Sequence, residues 1–453
     1  KHFAANNAET DRMRVSADVD ARTLREVYLR AFERVVTRAQ PWTVMCSYNR
    51  INGVYAAENE WLLSTVLRGE WGFDGVVVSD WGAVRDRVAA VRAGLDLEMP
   101  GTGARTNAMV LAAAEADDAV RTTVERAAER IARLAARAAR PDGAPGAPDL
   151  DAHHALAREV AGRAVVLLQN EGDLLPLAPG ASLAVVGEFA RTPRYQGGGS
   201  SRVNATRVDV PLEEIRALAG TGAVTFAPGF ALDGSGDAAS LRAEAVAASG
   251  AADSAVVFLG LTEEDESEGF DRTHLDLPPE QLELLRAVVA VQRRTVVVLA
   301  HGGVVRLTEV AAAAPAVLDA ALLGQAGGGA VADVLFGAVN PSGRLAETVP
   351  LRLEDVPAFP GYPGEHGHDS YGERVFVGHR WYDARGLDVA FPLGHGLSYT
   401  TFGFTDLELT SSDAGVTVGL TVTNTGSRSG REVVQVYAGL PTSEVARPPR
   451  SLA

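Results

Sequence analysis

Two short apolar runs, Thr43–Ser47 (TVMCS) and Gly75–Ser79 (GVVVS), place the strongest limits on how this chain can fold. Each run ends in a polar residue, and helical patterns over Ala21–Thr37 and Asn59–Arg68 alternate with them. Gly94–Met99 is a third, weaker run. Strand, helix and strand in this order is typical of a parallel sheet whose strands are covered on both faces. The sequence therefore predicts a barrel or a doubly wound sheet, with its chemistry at the carboxyl ends of the strands.

A second α/β region is predicted after a linker rich in Pro and Gly at Pro141–Gly146. Residues 104–139 before this linker contain neither Pro nor Gly and are predicted to be helical. Continuous apolar runs predict the strands of the second region, which are Val165–Leu168, Leu183–Val186, Ala255–Leu259, Thr295–Ala300 and Ala316–Leu322. Pro279–Val291 is predicted to be a helix between two of them, and the region closes near Asn340–Arg344.

The last hundred residues change character twice. Residues 345–398 are rich in Gly, Pro, His and aromatic residues, which predicts an ordered but irregular connector. From Phe402 onward, Val416–Thr423 and Glu432–Tyr437 alternate with period two, as strands of a β-sandwich do. A sandwich of this kind needs about 100 residues, and the chain ends at residue 453. We therefore expect this domain to be truncated.

Composition excludes several classes of function. The 453 residues carry 42 Lys+Arg against 58 Asp+Glu, a formal net charge of −16. A surface this acidic repels phosphate backbones and anionic lipid, so neither nucleic acid nor a membrane surface is expected as a partner. No stretch approaches the ~18 apolar residues of a membrane span. The single cysteine, Cys46, excludes an intramolecular disulfide and is compatible with a reducing compartment such as the cytoplasm.

Asp80 and Trp81 follow the run Gly75–Ser79 directly. A carboxylate at the end of a buried strand is costly unless the site uses it. One interpretation is a nucleophile or a metal ligand beside an aromatic platform for a sugar. The other is that Ser79 or Asp80 caps a helix beginning near Ala83. Spacing alone favours neither.

Further polar segments are candidates for binding or catalysis. Lys1 and His2 can donate hydrogen bonds to hydroxyls, or form an exposed basic pair. The run Glu263–Arg272 (EEDESEGFDR) either is a solvated loop or supplies a general acid/base. Gln196–Ser201 is rich in glycine but lacks the lysine of a phosphate-binding loop, so close approach to another ligand is favoured. His301 is expected to be a satisfied histidine at a strand end, and the histidine spacing predicts no metal site.

In this order the motifs resemble those of glycoside hydrolase family 3, in its multi-domain β-glucosidase branch. The segments that carry the resemblance are KHFAANNAETDR, MCSYNRING, GFDGVVVSDWGA, AGLDLEMPG, VLLQNEGDLLPL, NPSGRLAETVP, FPLGHGLSYTTF and GREVVQVYAG. The resemblance implies an α/β fold of several domains. These are the C-terminal part of a (β/α)8 (TIM-like) barrel over 1–101, a helical segment and linker over 102–150, an α/β sandwich domain over 151–344, a connector over 345–398 and a truncated fibronectin type III-like β-sandwich over 399–453.

The resemblance also implies a retaining hydrolase that releases β-linked glucose from non-reducing ends by double displacement. Asp80 corresponds to the nucleophile and Glu268 to the acid/base, with Glu266 and Glu264 as alternatives because this loop varies within the family. The implied substrate-binding residues are Lys1, His2, Arg12, Met45, Tyr48, Trp81 and Ser200. The family needs neither metal nor cofactor, and the expected partner is a β-glucoside or oligosaccharide.

Three alternatives stay open beside this assignment. The segment KHFAANN lacks the Lys-His-Phe-Pro-Gly-His-Gly loop of the N-acetylglucosaminidase branch, and Trp81 favours a glucosidase over a xylosidase. The competing interpretations are nevertheless a β-xylosidase, a β-glucosidase for glycosylated small molecules and a non-catalytic carbohydrate-binding fragment.

The barrel motifs begin in mid-barrel. A (β/α)8 barrel needs eight strands and ~250 residues, whereas residues 1–101 supply three clear strands and the end of a fourth at Lys1–Phe3. We therefore expect a fragment of a longer hydrolase that is inactive or prone to aggregate by itself.

Overall fold

The computed structural model describes residues 1–139, 146–413 and 415–453 and has two large hydrophobic cores. One core gathers buried side chains between Phe3 and Leu95, and the other gathers side chains between Val165 and Phe391. We call residues 1–101 the N-terminal part and residues 150–344 the central part. The predicted linker at 141–146 lies, except for Gly146, outside the described residues.

Parallel strand segments lie side by side in the N-terminal part in the order of the sequence. Thr43–Met45 pairs in parallel with Val76–Val78. Phe3 extends this row on one side through a parallel bridge, and Leu97 extends it on the other. Strands at both predicted apolar runs are thereby confirmed. The described residues of this part do not form a closed barrel.

A second small sheet ties the connector to the N-terminal part. Ser16–Asp18 pairs in parallel with Arg50–Ile51 on one side and with His368–Ser370 on the other. Arg50–Ile51 turns back into Val54–Tyr55. Residues separated by about 350 positions are therefore neighbours in one sheet.

Aspartate side chains cap the starts of three helices among the described residues of this region. Asp20 accepts hydrogen bonds from the backbone N–H groups of Arg22 and Thr23 at 3.1 Å, which satisfies donors that a helix start leaves free. The predicted helices near 21–37 and 59–68 are confirmed, each with π-helical turns. The helices as far as the linker are Ala21–Thr23, Leu24–Tyr28, Arg30–Ala39, Trp61–Glu70, Arg87–Ala93, Ala104–Ala116 and Asp118–Ala138.

The central part is a six-stranded sheet with helices on its faces. From edge to edge, its strands are Val166–Asn170, Ala316–Asp319, Thr295–Ala300, Ser254–Gly260, Leu183–Val186 and Val224–Ala227. The first is antiparallel to its neighbour and the other pairs are parallel. The helices here are Leu150–Ala164, Pro211–Leu218, Ala238–Ala251, Pro279–Val291, Thr308–Ala313 and Gly327–Leu335. All five predicted strands are confirmed, and the sheet adds the edge strand Val224–Ala227.

The turn at Gly187 accepts only glycine. Its φ is +103°, and a Cβ there would lie 2.2 Å from the carbonyl oxygen of Phe258. We expect Gly187→Ala to destabilise the central part by about 3 kcal/mol, because strain and overlap with backbone add. The control is Gly234→Ala, at φ +67° with open space around it, which should cost about 1 kcal/mol. Calorimetric unfolding of both variants checks this, and equal midpoints would contradict it.

Apart from His368–Ser370, which joins the sheet of the N-terminal part, the described residues of the connector and the C-terminal region form only two-stranded pairings. Short strands Val349–Pro350 and Val389–Phe391 pair, and the helix His379–Arg385 lies between them in the sequence. Phe402–Ser412 and Gly415–Asn424 form an antiparallel hairpin. The strand predicted over Glu432–Tyr437 is wrong except at its end, where Tyr437–Ala438 pairs with Ser451–Leu452. The described residues of this region form two-stranded sheets rather than a sandwich.

Across the described ranges, none of the helices has both the length and the apolar character that spanning a bilayer requires.

Candidate active site

Asp80 and Tyr48 lie just beyond the ends of neighbouring parallel strands. Asp80 follows the strand Val76–Val78 and Tyr48 follows Thr43–Met45. Both side chains belong to buried residues, and Asp80 is only 8% exposed. Because the two strands are paired in register, their following residues are brought together at one edge of the sheet.

The two oxygens of Asp80 have different surroundings. Oδ1 accepts a hydrogen bond from the backbone N–H of Trp81 at 2.7 Å. Oδ2 lies 3.3 Å from His2 Nε2 and forms no directed hydrogen bond with the described residues. Burial lowers the pKa of His2 and outweighs the opposing effect of Asp80. One lone pair-bearing oxygen of a buried carboxylate is therefore left available for chemistry.

Asp80 does not cap a helix, so the N-cap interpretation of Ser79 or Asp80 is wrong. The next helix begins at Arg87, and its cap is Asp86, whose side chain accepts from Val88 and Ala89. Residues 81–85 between them are not helical. The structural alternative that the spacing allowed for Asp80 is thereby removed.

Tyr48 and Arg12 connect Asp80 to a carboxylate from the central part. Burial, followed by the interaction with Asp80, raises the pKa of Tyr48 to about 12. The Arg12 guanidinium lies 4.7 Å above the centre of the Tyr48 ring, a cation–π contact. Arg12 Nη2 also donates to Glu268 Oε1 at 2.7 Å. Arg12 therefore contacts both Tyr48, which follows the strand paired with that of Asp80, and Glu268 from the central part, so that both carboxylates border one site.

Glu268 is held by the glycine-rich loop as well as by Arg12. Its Oε2 accepts from the backbone N–H of Ser200 at 2.6 Å and from the Ser200 hydroxyl. A Cβ at Gly199 would lie 2.5 Å from the Cβ of Glu268, so the loop can approach only as glycine. The hydrogen bonds from Ser200, and then that from Arg12, lower the pKa of Glu268 to about 2. Glu268 is thus ionised in this arrangement.

The alternative glutamates occupy other environments. Glu266 is enclosed within the central part, where it pairs with Arg194 at 2.7 Å and accepts from the backbone N–H groups of Gly302 and Gly303. Glu264 is exposed and lines a cleft whose walls do not include Arg12, Asp80 or Glu268. Geometry therefore favours Glu268 among the three.

The remaining predicted site residues are less tightly gathered. Trp81 presents 59% of its surface to solvent beside Asp80. Met45 is half-buried at the end of its strand, in register with Val78, and Lys1 is exposed next to His2. Ser200, expected to contact a sugar, contacts Glu268 instead.

Sequence reasoning missed the residues that join the two parts beside the site. Glu9 Oε2 accepts from Arg12 Nη1 at 2.8 Å and from the backbone N–H of Gly269 at 2.8 Å. Asp271 accepts from the backbone of Glu9 and Thr10. Glu9 belongs to the segment KHFAANNAETDR and Asp271 to the acidic run Glu263–Arg272, but nothing in their spacing indicates that they meet.

His301 is buried at a strand end as predicted, but within the described residues only one of its ring nitrogens has a hydrogen-bond partner. Its Nδ1 lies 2.8 Å from the Gly303 carbonyl oxygen and its Nε2 lies 3.4 Å from Asp319. Within the described ranges, no cluster of three or more His, Cys, Asp or Glu side chains has the arrangement of a metal site.

Comparison with known proteins identifies the family of the chain. The model of the glycosyl hydrolase family 3 N-terminal domain matches residues 1–134, and that of the family 3 C-terminal domain matches residues 165–399. The chain therefore has the glycoside hydrolase family 3 fold, of α/β architecture. It belongs to glycoside hydrolase family 3.

Individual relatives cover the whole of this chain but extend beyond it. The chain is 46% identical to thermostable beta-glucosidase B of Acetivibrio thermocellus over 100% of its own length and 60% of that protein's. It is also 46% identical to the exo-alpha-(1->6)-L-arabinopyranosidase of Bifidobacterium longum, over 61% of that protein. The crystal structure of a family 3 beta-glucosidase from Bifidobacterium adolescentis matches with a TM-score of 0.93 and 47% identity, covering 100% of this chain and 66% of that one. The chain thus spans about 60% of the length of these curated relatives.

Proposed function

We propose that this chain carries the catalytic carboxylates of a retaining β-glucosidase that releases β-linked glucose from non-reducing ends. The observation that supports this best is that Arg12 contacts Glu268 of the central part and also Tyr48, whose strand pairs in register with the strand that ends at Asp80. Retaining hydrolysis needs two carboxyl groups on opposite sides of the glycosidic bond, about 5–5.5 Å apart. A cleft between two domains is a common place for such a substrate.

In this proposal the domains have the boundaries that the family implies. Residues 1–101 are the C-terminal part of a (β/α)8 barrel, because their strand segments are parallel and neighbours in sequence order. Residues 102–150 are a helical segment and linker, residues 151–344 the α/β sandwich domain, and residues 345–398 the connector. The hairpin after Phe402 belongs to a fibronectin type III-like domain over 399–453.

In the first chemical step, Asp80 Oδ2 attacks the anomeric carbon while Glu268 gives a proton to the departing glycosidic oxygen. In the second, Glu268 takes a proton from water, which attacks the glycosyl–Asp80 ester and regenerates the carboxylate. Tyr48 holds Asp80, and Trp81 offers an exposed aromatic face to the substrate. Lys1, His2 and Arg12 donate to sugar hydroxyls, Met45 lines the wall and Ser200 contacts the sugar.

The low pKa of Glu268 gives Arg12 and Ser200 a second role. An acid must be protonated before the first step, whereas both donors stabilise the ionised form. A sugar whose hydroxyls take over these donors raises the pKa of Glu268 and converts it into an acid. Once Asp80 is esterified, its negative charge is removed from the site, which lowers the pKa of Glu268 and favours its basic form for the second step.

This role predicts how Ser200→Ala changes the pH dependence. Because the Ser200 hydroxyl bond is the largest cause that lowers the pKa of Glu268, its removal raises that pKa. The proton on Glu268 is then retained to higher pH, so the alkaline limb of kcat/KM should move upward by about one pH unit. Ser201→Ala is the control, since its hydroxyl bonds to the Gly198 carbonyl instead. Superimposable profiles for the two variants would contradict the prediction.

The sugar itself has a second candidate. Equal identity to a β-glucosidase and to an exo-α-(1→6)-L-arabinopyranosidase makes the α-L-arabinopyranoside the competing substrate. It lacks the exocyclic hydroxymethyl group of glucose. Comparing kcat/KM for the p-nitrophenyl derivatives of both sugars, with the protein expressed from its complete natural reading frame, decides between them.

A further inference from the structure

A loop of the central part crosses onto the N-terminal part immediately after Glu268. Its residues 269–271 lie against residues 9–10, about 260 positions away in the chain. The same two segments carry Arg12 and Glu268, which bond to each other. The contact therefore joins the two halves of the candidate site at a second place beside the Arg12–Glu268 pair.

Asp271 makes the most extensive of these contacts. Its Oδ2 accepts from two consecutive backbone N–H groups, those of Glu9 at 2.9 Å and Thr10 at 2.6 Å. In the opposite direction, the Asp271 backbone N–H donates to Thr10 Oγ1 at 3.1 Å. A carboxylate that accepts two backbone donors forms strong, directional hydrogen bonds. The pair fixes the backbone of both segments rather than only a side chain.

Glu9 completes a closed circuit of bonds around the site. Its Oε2 accepts from Gly269 N–H and from Arg12 Nη1, each at 2.8 Å, while Arg12 Nη2 reaches Glu268. Asp271 binds the backbone of Glu9 itself. The position of Glu268 relative to Arg12 thus depends on the contact that Asp271 makes three residues later.

Tyr362 of the connector is half-buried and lies within hydrogen-bonding reach of Asp271. Burial, followed by the hydrogen bond to Asp271, raises the pKa of its hydroxyl above the ordinary value. The Asp271 contact is therefore shared by three regions of the chain. This is more support than a single exposed ion pair would have.

We infer that Asp271 is a positioning residue, which holds the loop bearing Glu268 at the distance from Asp80 that proton transfer requires. The inference rests on the proposed function of Glu268 as acid/base. A displacement of about 1 Å in a catalytic group can cost about 100-fold in rate. A tether next to the acid/base, anchored in the part that carries the nucleophile, prevents such a displacement.

The test is a double-mutant cycle in the protein expressed from its complete natural reading frame. With 2,4-dinitrophenyl β-glucoside, Asp271→Ala should lower kcat by roughly 30-fold, because the second step depends on a well-placed base. In the Glu268→Ala background with azide as the nucleophile, adding Asp271→Ala should change kcat less than about two-fold. In addition, Asp271→Ala should lose more activity on a β-glucoside with a poor leaving group than on the dinitrophenyl substrate.

Two further variants keep the test decisive. Thr10→Val removes only the Oγ1 acceptor and should show the same pattern with a smaller loss, which serves if Asp271→Ala does not fold. Asp276→Ala breaks an ion pair with Arg306 elsewhere in the same loop region. It should leave kcat on both substrates within about two-fold of the wild-type value. Equal losses from Asp271→Ala in both backgrounds would overturn the inference and indicate a purely structural role. If Glu268→Ala instead keeps full turnover on substrates with poor leaving groups, that result contradicts the proposed function of Glu268 rather than the positioning role of Asp271.

Discussion

Replacing Asp80 with alanine is expected to lower the turnover of aryl β-glucosides by about 10⁴-fold or more while leaving the fold intact. The loss follows because no covalent glycosyl intermediate can form without the attacking carboxylate. Stability should be unchanged or slightly higher, since Asp80 Oδ2 is buried without a directed hydrogen bond among the described residues and such groups are costly. Initial rates and a thermal melt of the protein from its complete natural reading frame measure both effects.

The matched control for Asp80 is Asp86→Asn. Asp86 lies six residues further on and caps the helix that begins at Arg87. Asparagine is as good a cap as aspartate, so both activity and melting temperature should stay near the wild-type values. An Asp80→Ala protein that retains more than a few per cent of wild-type turnover would contradict the role of Asp80. Loss of activity accompanied by unfolding would contradict the stability argument.

The strands of the central part that the sequence predicted are those whose residues are mostly buried. Ser254–Gly260 is buried at all seven positions, and such a run is recognisable without its partners. The edge strand Val224–Ala227 was missed because only Ala227 is buried. The guanidinium of Arg191 lies 4.9 Å from the centre of the Phe226 ring. A charged side chain therefore covers this ring through a cation–π contact, in place of an apolar neighbour.

The period-two alternation of polar and apolar residues gave a wrong strand prediction where the described residues hold no adjacent strand to pair with. Glu432–Tyr437 has the period of a half-buried strand, yet among the described residues only Tyr437–Ala438 forms a ladder. The hairpin Phe402–Ser412 with Gly415–Asn424 has the same period and does pair, because its partner is adjacent in sequence. An alternating sequence favours extended backbone, but a ladder of backbone hydrogen bonds also needs a second strand beside it.

The two halves of the candidate site differ in how much of each could be predicted from the sequence. Asp80 and Tyr48 were predictable as neighbours, since both follow strands of one parallel sheet. Glu268 and Ser200 were assigned only through the family resemblance, because an acidic run after a strand is usually solvated. Asp271 and Thr10 were missed altogether. Their meeting depends on how the N-terminal and central parts pack against each other, and no periodicity within either segment indicates that.

Glu268→Ala separates the acid/base from every other glutamate in its loop. Without an acid, glycosides with poor leaving groups should lose about 10³-fold in kcat/KM, whereas 2,4-dinitrophenyl β-glucoside, which needs no protonation, should lose far less. The glycosyl–Asp80 ester then accumulates because no base activates water. A burst of dinitrophenolate followed by a slow steady state measures this accumulation.

Azide should relieve that slow step, since a small anionic nucleophile needs no general base and fits the space that the missing carboxylate leaves. We expect the steady-state rate of Glu268→Ala to rise at least about 10-fold with azide, and the product to be β-glucosyl azide with retained configuration.

Glu266→Ala should behave differently. It removes the partner of the buried Arg194 and the acceptor for Gly302 and Gly303, so it should lower the melting temperature and show no azide effect. Rescue by azide in Glu266→Ala or Glu264→Ala, and not in Glu268→Ala, would move the acid/base role to that glutamate. The contacts argue against this outcome, because of the three only Glu268 bonds to Arg12, and Arg12 is what reaches Asp80 through Tyr48.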